Sequence, residues 1–380
     1  MTSIVTTPSV FDLTPDSFAA LCEANGLPRF LGKQVLDWVY AKGVTDPQAM
    51  TNLSKLNRER LASLIDFEQG VLITEQVATD GTRKLLLGWP RADERASASE
   101  SLALPLLGEG EPSAIPTSRQ TECVMIPNPE RRTACVSSQI GCPVGCAFCA
   151  SGIGGLDGNL TTGRIVEQVW RLGQIERSDS PDGTGRISHV VFMGMGEPLA
   201  NIANVTNAIR IINAPWGLGI SARRITISTV GLPAAIRKLC DFEIPVTLAL
   251  SLHAPNDELR RKIIPWAEYS TVVELLDACD EWFRKTGREI TLEYILLGGF
   301  NDQPEHAKEL AGLARRLRAN VNLIRYNEVK GMPFSRPATE DVLAFQAILR
   351  DRGANTHIRS SRGRDIAAAC GQLRHEKAKA

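Results

Sequence analysis

"GCPVGCAFCA" occupies residues 141–150 and sets Cys142, Cys146 and Cys149 at spacings of x3 and x2. The next histidine is His189, far down the chain. A structural zinc site takes four Cys or His ligands, so zinc here would need a distant fourth ligand. Disulfide chemistry uses two cysteines rather than three. A cubane iron–sulfur cluster usually takes four cysteines. Held by only three, it keeps one iron open to bind and activate another molecule. Three buried thiols that cluster by chance are the plain alternative, and their place between glycines, directly after an apolar run, speaks against it.

Around this motif the bulk properties are ordinary. A chain of 380 residues with 43% apolar and 23% charged residues can bury a large core, and its length suggests about two domains. The formal net charge is zero, so any basic surface must be local. No apolar run reaches the roughly 18 residues of a membrane span. The start, "MTSIVTTPSVFDLTP", lacks the basic and apolar regions of a secretion signal. A cytoplasmic protein without a membrane partner is therefore expected. Its nine cysteines are then expected as thiols, with the tight cluster as a metal or redox centre.

From about residue 133, β-branched runs ("ACVSSQI", "ISHVVFM", "RRITIST", "PVTLALS", "EITLEYILL", "NVNLIRY") alternate with helical patterns. This rhythm predicts an α/β fold with a parallel sheet, open or closed into a partial barrel. "ANTHIRS" adds a last strand before a C-terminal helix carrying Cys370 in "DIAAACGQL". Upstream, residues 10–68 read as short helices, the first capped by Thr14 with Pro15 at its start. Residues 70–89 read as a hairpin turned at Asp80-Gly81, and "TECVMIP" as a strand beside it. Residues 91–119, rich in Ser, Ala, Glu, Gly and Pro, read as a flexible loop. The expected units are a helical domain over 1–69, a small β unit over 70–132, and a main domain over 133–380.

The Cys-x3-Cys-x2-Cys spacing, with Phe148 before the last cysteine, resembles the signature of radical S-adenosylmethionine (SAM) enzymes. The resemblance implies a [4Fe-4S] cluster on Cys142, Cys146 and Cys149, SAM on its open iron, and a partial (βα)6 barrel. In parallel βα folds ligands sit at the C-terminal strand ends. There the sequence offers Gly194, Gly196 and Glu197 in "FMGMGEPLAN", Ser228 in "ITIST", Ser251, Leu252 and His253 in "LALSLH", and Asn327 in "NLIRYN". Each alone is an ordinary turn or core residue, and they share one cavity only if the sheet curves. "GMGEP" lacks the third glycine of a dinucleotide fingerprint, which argues against a nicotinamide enzyme.

Together, "ACVSSQIGCPVGCAFC", "FMGMGEPLAN", "STVGLPAAIRKL", "LSLHAPND", "NLIRYN" and "DIAAACGQL" are similar to the RlmN/Cfr family of RNA adenosine methyltransferases. The resemblance runs from about residue 10 to 375. It implies methyl transfer from one SAM to Cys370, hydrogen abstraction from that S-methyl group by a radical from a second SAM, and addition to adenine. Glu122 would then remove the ring proton, and Cys135 would release the product through a transient disulfide with Cys370. The implied substrates are 23S rRNA and tRNA, methylated at adenine C2, and the implied electron donor is flavodoxin or ferredoxin. C8 methylation uses the same residues, and a non-catalytic iron–sulfur RNA-binding protein is the alternative from another class. Basic residues in 308–336 and in the last thirty positions suit phosphate contacts. Without the resemblance, Cys135 and Cys370 would read as small apolar residues and Glu122 as a surface carboxylate.

Overall fold

The computed structural model describes residues 7–90 and 115–373. Most of the loop expected over 91–119 lies outside the described residues; its end forms a single turn, Thr117–Arg119, that leads into a strand.

The N-terminal helices are α1 (Pro15–Ala24), α2 (Phe30–Tyr40) and α3 (Lys55–Leu64). Thr14 caps α1 in a reciprocal box with Ser17, with Pro15 at the first position, as its side-chain chemistry predicts. The hairpin follows as β1 (Val71–Val77) and β2 (Arg83–Gly88), then β3 (Gln120–Asn128) and β4 (Arg131–Cys135). These four pair antiparallel in chain order. A short pair, β5 (Gln139–Gly141) and β6 (Leu156–Asn159), brackets the cysteine loop.

The βα alternation then unfolds in sequence. Helix α4 (Thr162–Asp179) leads to β7 (His189–Phe192), α5 (Ile202–Asn213) to β8 (Ile225–Thr229), and α6 (Pro233–Leu239) to β9 (Thr247–Ser251). Helices α7 (Asp257–Ile263) and α8 (Val272–Thr286) precede β10 (Ile290–Leu296). Helix α9 (Pro304–Leu317) precedes β11 (Asn320–Arg325), and α10 (Thr339–Asp351) precedes β12 (Thr356–Arg359). Strands β4, β7, β8, β9, β10, β11 and β12 are parallel neighbours in that order. Side chains from all seven line one cavity, so this part of the sheet is curved into a partial barrel. The antiparallel strands β1–β3 extend the same sheet from its β4 edge.

The N-terminal helices dock on α4. Trp170 packs on Phe11 with ring centroids 5.4 Å apart and donates its indole N–H to the Val39 carbonyl at 2.8 Å. Glu167, fully buried, accepts from the backbone N–H groups of Gln69 and Gly70 at 3.0 and 2.9 Å and pairs with Arg171. A buried carboxylate needs such partners to remain in the core.

The chain end corrects one expectation. Residues 367–373 are not helical, and Cys370 sits on an irregular strap. Gly363, Ala367 and Gly371 all have positive φ (64°, 50° and 82°), which breaks any helix. The strap's backbone bonds elsewhere: Gly363 N–H donates to Asp80 at 3.1 Å, Ala150 N–H to Gly371 O at 2.8 Å, and Ser151 Oγ–H to Leu373 O at 2.7 Å. Tertiary partners outcompete the helical pattern of "DIAAAC" here.

Candidate active site

The loop between β5 and β6 carries the three cysteines. Gly141 and Gly145 turn it in left-handed backbone conformations, and the N–H of Ala147 anchors it to Ile263 O at 2.9 Å. Cys142, Cys146 and Cys149 all face one chamber of about 140 Å³. Burial pushes the Cys142 thiol up to about 12 and raises the other two as well. Buried thiols of this kind ionise against a strong local positive charge, which coordinated iron supplies. Among the described residues no three His, Cys, Asp or Glu side chains converge tightly enough for a single metal ion. Three thiols carried by one short loop around one chamber suit a cluster that keeps one iron open.

The strand ends meet at this chamber. Gly196 (φ 98°) packs so closely that a Cβ would lie 2.6 Å from Gln139 Cβ. Glu197 is buried and lines the chamber, and its carboxylate accepts from the N–H groups of Leu199 at 3.0 Å and Val230 at 2.9 Å and from the Thr229 side chain. Ser228 and Ser251 hydroxyls lie 3.1 Å apart. His253, in a left-handed conformation, accepts from Ile295 N–H at Nδ1 (3.1 Å), so its remaining proton is on Nε2. Its ring meets Phe148 edge-on at 5.1 Å, and burial lowers its pKa to about 3. Leu252 is fully buried and lines neither chamber nor cavity, its N–H donating to Glu293 O at 3.1 Å. Asn327 bonds the strap, donating to Cys370 O at 3.3 Å and accepting from Arg336 at 2.9 Å.

Below the chamber the barrel lumen forms a larger cavity of about 620 Å³. Cys370 lines both spaces, and Cys135 lines the larger one. All nine cysteines are free thiols; Cys22, Cys123, Cys240 and Cys279 are buried in the core, as their apolar settings predict. Glu122 is not among the lining residues. It lies on β3 one alternation from Val124, the register partner of Cys135, and its carboxylate pairs with Lys84 at 2.8 Å.

Glu293 and Arg359 also line the cavity; the sequence reading passed over Glu293 and counted Arg359 among the phosphate contacts of the last thirty positions. Glu293 is 3% exposed, with one oxygen accepting from Asn322 at 3.1 Å and the other unpartnered. Arg359 reaches Met193 Sδ at 3.2 Å and is held more strongly protonated by the negative potential of Cys370, then of Glu293 and Cys135. The signal of Glu293 was a carboxylate inside a largely apolar strand, whereas Arg359 ends a strand of Thr356, His357 and Ile358 and carried no such signal. Several basic residues expected to face phosphate are engaged internally instead. Arg316 pairs with Asp277, and Arg325 bonds Pro337 O and Thr339. Arg374, Lys377 and Lys379 lie outside the described residues.

Two family models match the chain, "Radical SAM superfamily" over residues 136–311 and "Ribosomal RNA large subunit methyltransferase N-terminal domain" over residues 9–66. A protein of Rhodopirellula baltica described as "Probable dual-specificity RNA methyltransferase RlmN" is 41% identical over 93% of this chain and 87% of its own. The "Dual-specificity RNA methyltransferase RlmN" of Lawsonia intracellularis is 41% identical over 90% and 89%. A crystal structure of a radical SAM methyltransferase from Sphaerobacter thermophilus superposes with a TM-score of 0.86 at 38% identity, covering 97% of this chain and all of that one.

Proposed function

The chain belongs to the RlmN family of radical SAM RNA methyltransferases, and from that premise we propose that it methylates C2 of an adenosine in 23S rRNA and in tRNA. The carrying observation is the position of Cys370, whose residue lines both the cysteine chamber and the lumen. One thiol can there receive a methyl group from the SAM side and present it on the RNA side. Adenine C2 is an electron-poor amidine carbon, so it cannot attack a SAM methyl directly, and a protein-borne carrier answers that difficulty.

When bound on Cys142, Cys146 and Cys149, the [4Fe-4S] cluster supplies the reductive chemistry that makes a radical from SAM. The chain's own residues do the rest. Glu197, Ser228, Ser251 and His253, with the backbone at Gly196, cradle SAM. Cys370 takes the methyl of a first SAM, gives up one of its hydrogens to the radical derived from a second, and bonds to the adenine ring through the methylene. Asn327 fixes the strap so that Cys370 stays at the junction. Glu122, released from Lys84, takes the ring proton. The odd electron that radical addition leaves on the ring returns to the oxidised external donor as the ring proton departs. Cys135 then attacks the Cys370 sulfur, so an S–S bond forms as the S–CH2 bond breaks; the electron pair stays with the carbon, which takes a proton to complete the methyl group, and an external reductant reopens the disulfide. An external donor such as flavodoxin or ferredoxin supplies the low-potential electron, in the cytoplasm. Residues 1–69 serve as the accessory unit, 70–132 as the β extension and 133–380 as the catalytic unit.

Anaerobic reconstitution with iron and sulfide, reaction with SAM and RNA, and mass spectrometry with NMR of the released nucleosides test this reading. 2-Methyladenosine is the expected product. 8-Methyladenosine moves the assignment to the other ring position, and SAM cleavage with unmodified RNA contradicts it.

A further inference from the structure

The large cavity runs from Cys149 and Cys370 to the end of the barrel where the parallel strands begin. Its lining includes Arg131 and His189, the first residues of β4 and β7, and Arg223 and Arg224, just before β8. The lumen above them is polar. Thr133, Thr226, Thr247, Thr291 and Asn322 occupy inward positions on five strands, where a packed barrel would carry branched apolar side chains. A 620 Å³ polar lumen is of a size to hold a nucleotide.

The charge at this mouth is one-sided. Arg131, Arg223 and Arg224 are exposed, and among the described residues no carboxylate pairs with them. The one carboxylate among the described lining residues is Glu293, deep in the lumen. Arg131 and Arg224 also add to burial in depressing the pKa of His189, which shows how closely the positive charges gather. Lone guanidinium groups around a polar hole match a phosphodiester backbone whose base points inward.

We propose that RNA reaches the site through this mouth, opposite to the SAM side: Arg131, Arg223 and Arg224 hold the backbone, and the target base is extruded into the lumen toward Cys370. This rests on the RNA methyltransferase reading and adds the route and the residues. Base extrusion is a general device of enzymes that modify nucleobases. Entry at the strand-start end leaves the strand-end chamber to SAM, so both substrates meet at Cys370 without crossing.

The probe is a short RNA hairpin with an unpaired adenosine in its loop, and methylation of it by the wild-type holoenzyme first secures the underlying reading. R223E/R224E should bind it more than 10-fold more weakly near 0.15 M salt, and the slope of log affinity against log salt should fall by roughly 2. The control R237E/R284E, which reverses two exposed charges on outer helices, should change affinity less than twofold. Thr291→Leu, which narrows the lumen, should leave hairpin affinity within twofold and cut methylation at least 10-fold. Iron content and the thermal transition of each variant report on folding. With wild-type methylation in hand, unchanged affinity in R223E/R224E, or full methylation by Thr291→Leu, overturns the entry route alone.

Discussion

Cys370 and Cys135 are both free thiols, yet their surroundings differ. Cys135 lies on β4 within a small apolar cluster with Val124, Met195, Ala368 and Leu373, and burial pushes its pKa up to about 12. Cys370 is half-buried on the strap, beside the cysteine loop. In the proposed pathway the carrier is the accessible thiol and the resolving thiol is the sheltered one. Cys370→Ala should therefore abolish RNA methylation and leave no methylated cysteine by peptide mass spectrometry. A methylated product from that variant would remove Cys370 from the pathway. His253 gives a separate test at this scale. Its folded pKa is about 3 against an ordinary 6.5, so between those values the unfolded chain binds more protons and stability falls as pH falls. His253→Asn should flatten the decline in urea midpoint between pH 6 and pH 4, and an unchanged slope would contradict the assignment.

Among the elements, the cysteine loop and the strap show what sequence can and cannot reveal. The loop was legible because its chemistry demands three thiolates at short, fixed spacing, all local in the chain. The βα order was legible because each strand and helix carries its own periodicity. The strap was not: "DIAAACGQL" satisfies a helical pattern, while its actual conformation is fixed by partners far away in sequence. Asp80 and Thr79 are two of these: Asp80 accepts from Gly363 N–H at 3.1 Å, and Thr79 N–H donates to the strap's Asp365 at 2.9 Å. D80A/D365A should free the strap, speeding alkylation of Cys370 by iodoacetamide severalfold while leaving iron content intact. The Glu122–Lys84 pair was hidden for the same reason, since two strands must pair before the lysine comes near. The docking of the N-terminal helices on α4 has its own test. Glu167→Ala leaves two buried backbone N–H groups and the Nε–H of Arg171 without their acceptor, while Arg171 keeps Glu68 and the Gly70 carbonyl, and should cost on the order of 3 kcal/mol in urea unfolding. A loss below about 0.5 kcal/mol would show that the contact is replaceable.

At the scale of the whole molecule, zero net charge concealed a polarised barrel, with thiols and the proposed SAM cradle at one end and, at the other, arginines that have no carboxylate partner among the described residues. Composition averages that polarity away, and the Thr-lined lumen emerges only once the strands share one curved sheet. Cys370 stands between the two ends, and the account depends on its joining protein to RNA. The most direct test is anaerobic reaction of reconstituted Cys135→Ala with SAM and substrate RNA, analysed on a denaturing gel and by mass spectrometry of nuclease- and protease-treated protein. The account predicts a stalled species with an adenosine nucleotide bonded through one methylene to Cys370, and no such species in Cys135→Ala/Cys370→Ala. Normal turnover by Cys135→Ala, or a covalent adduct that persists without Cys370, would contradict it.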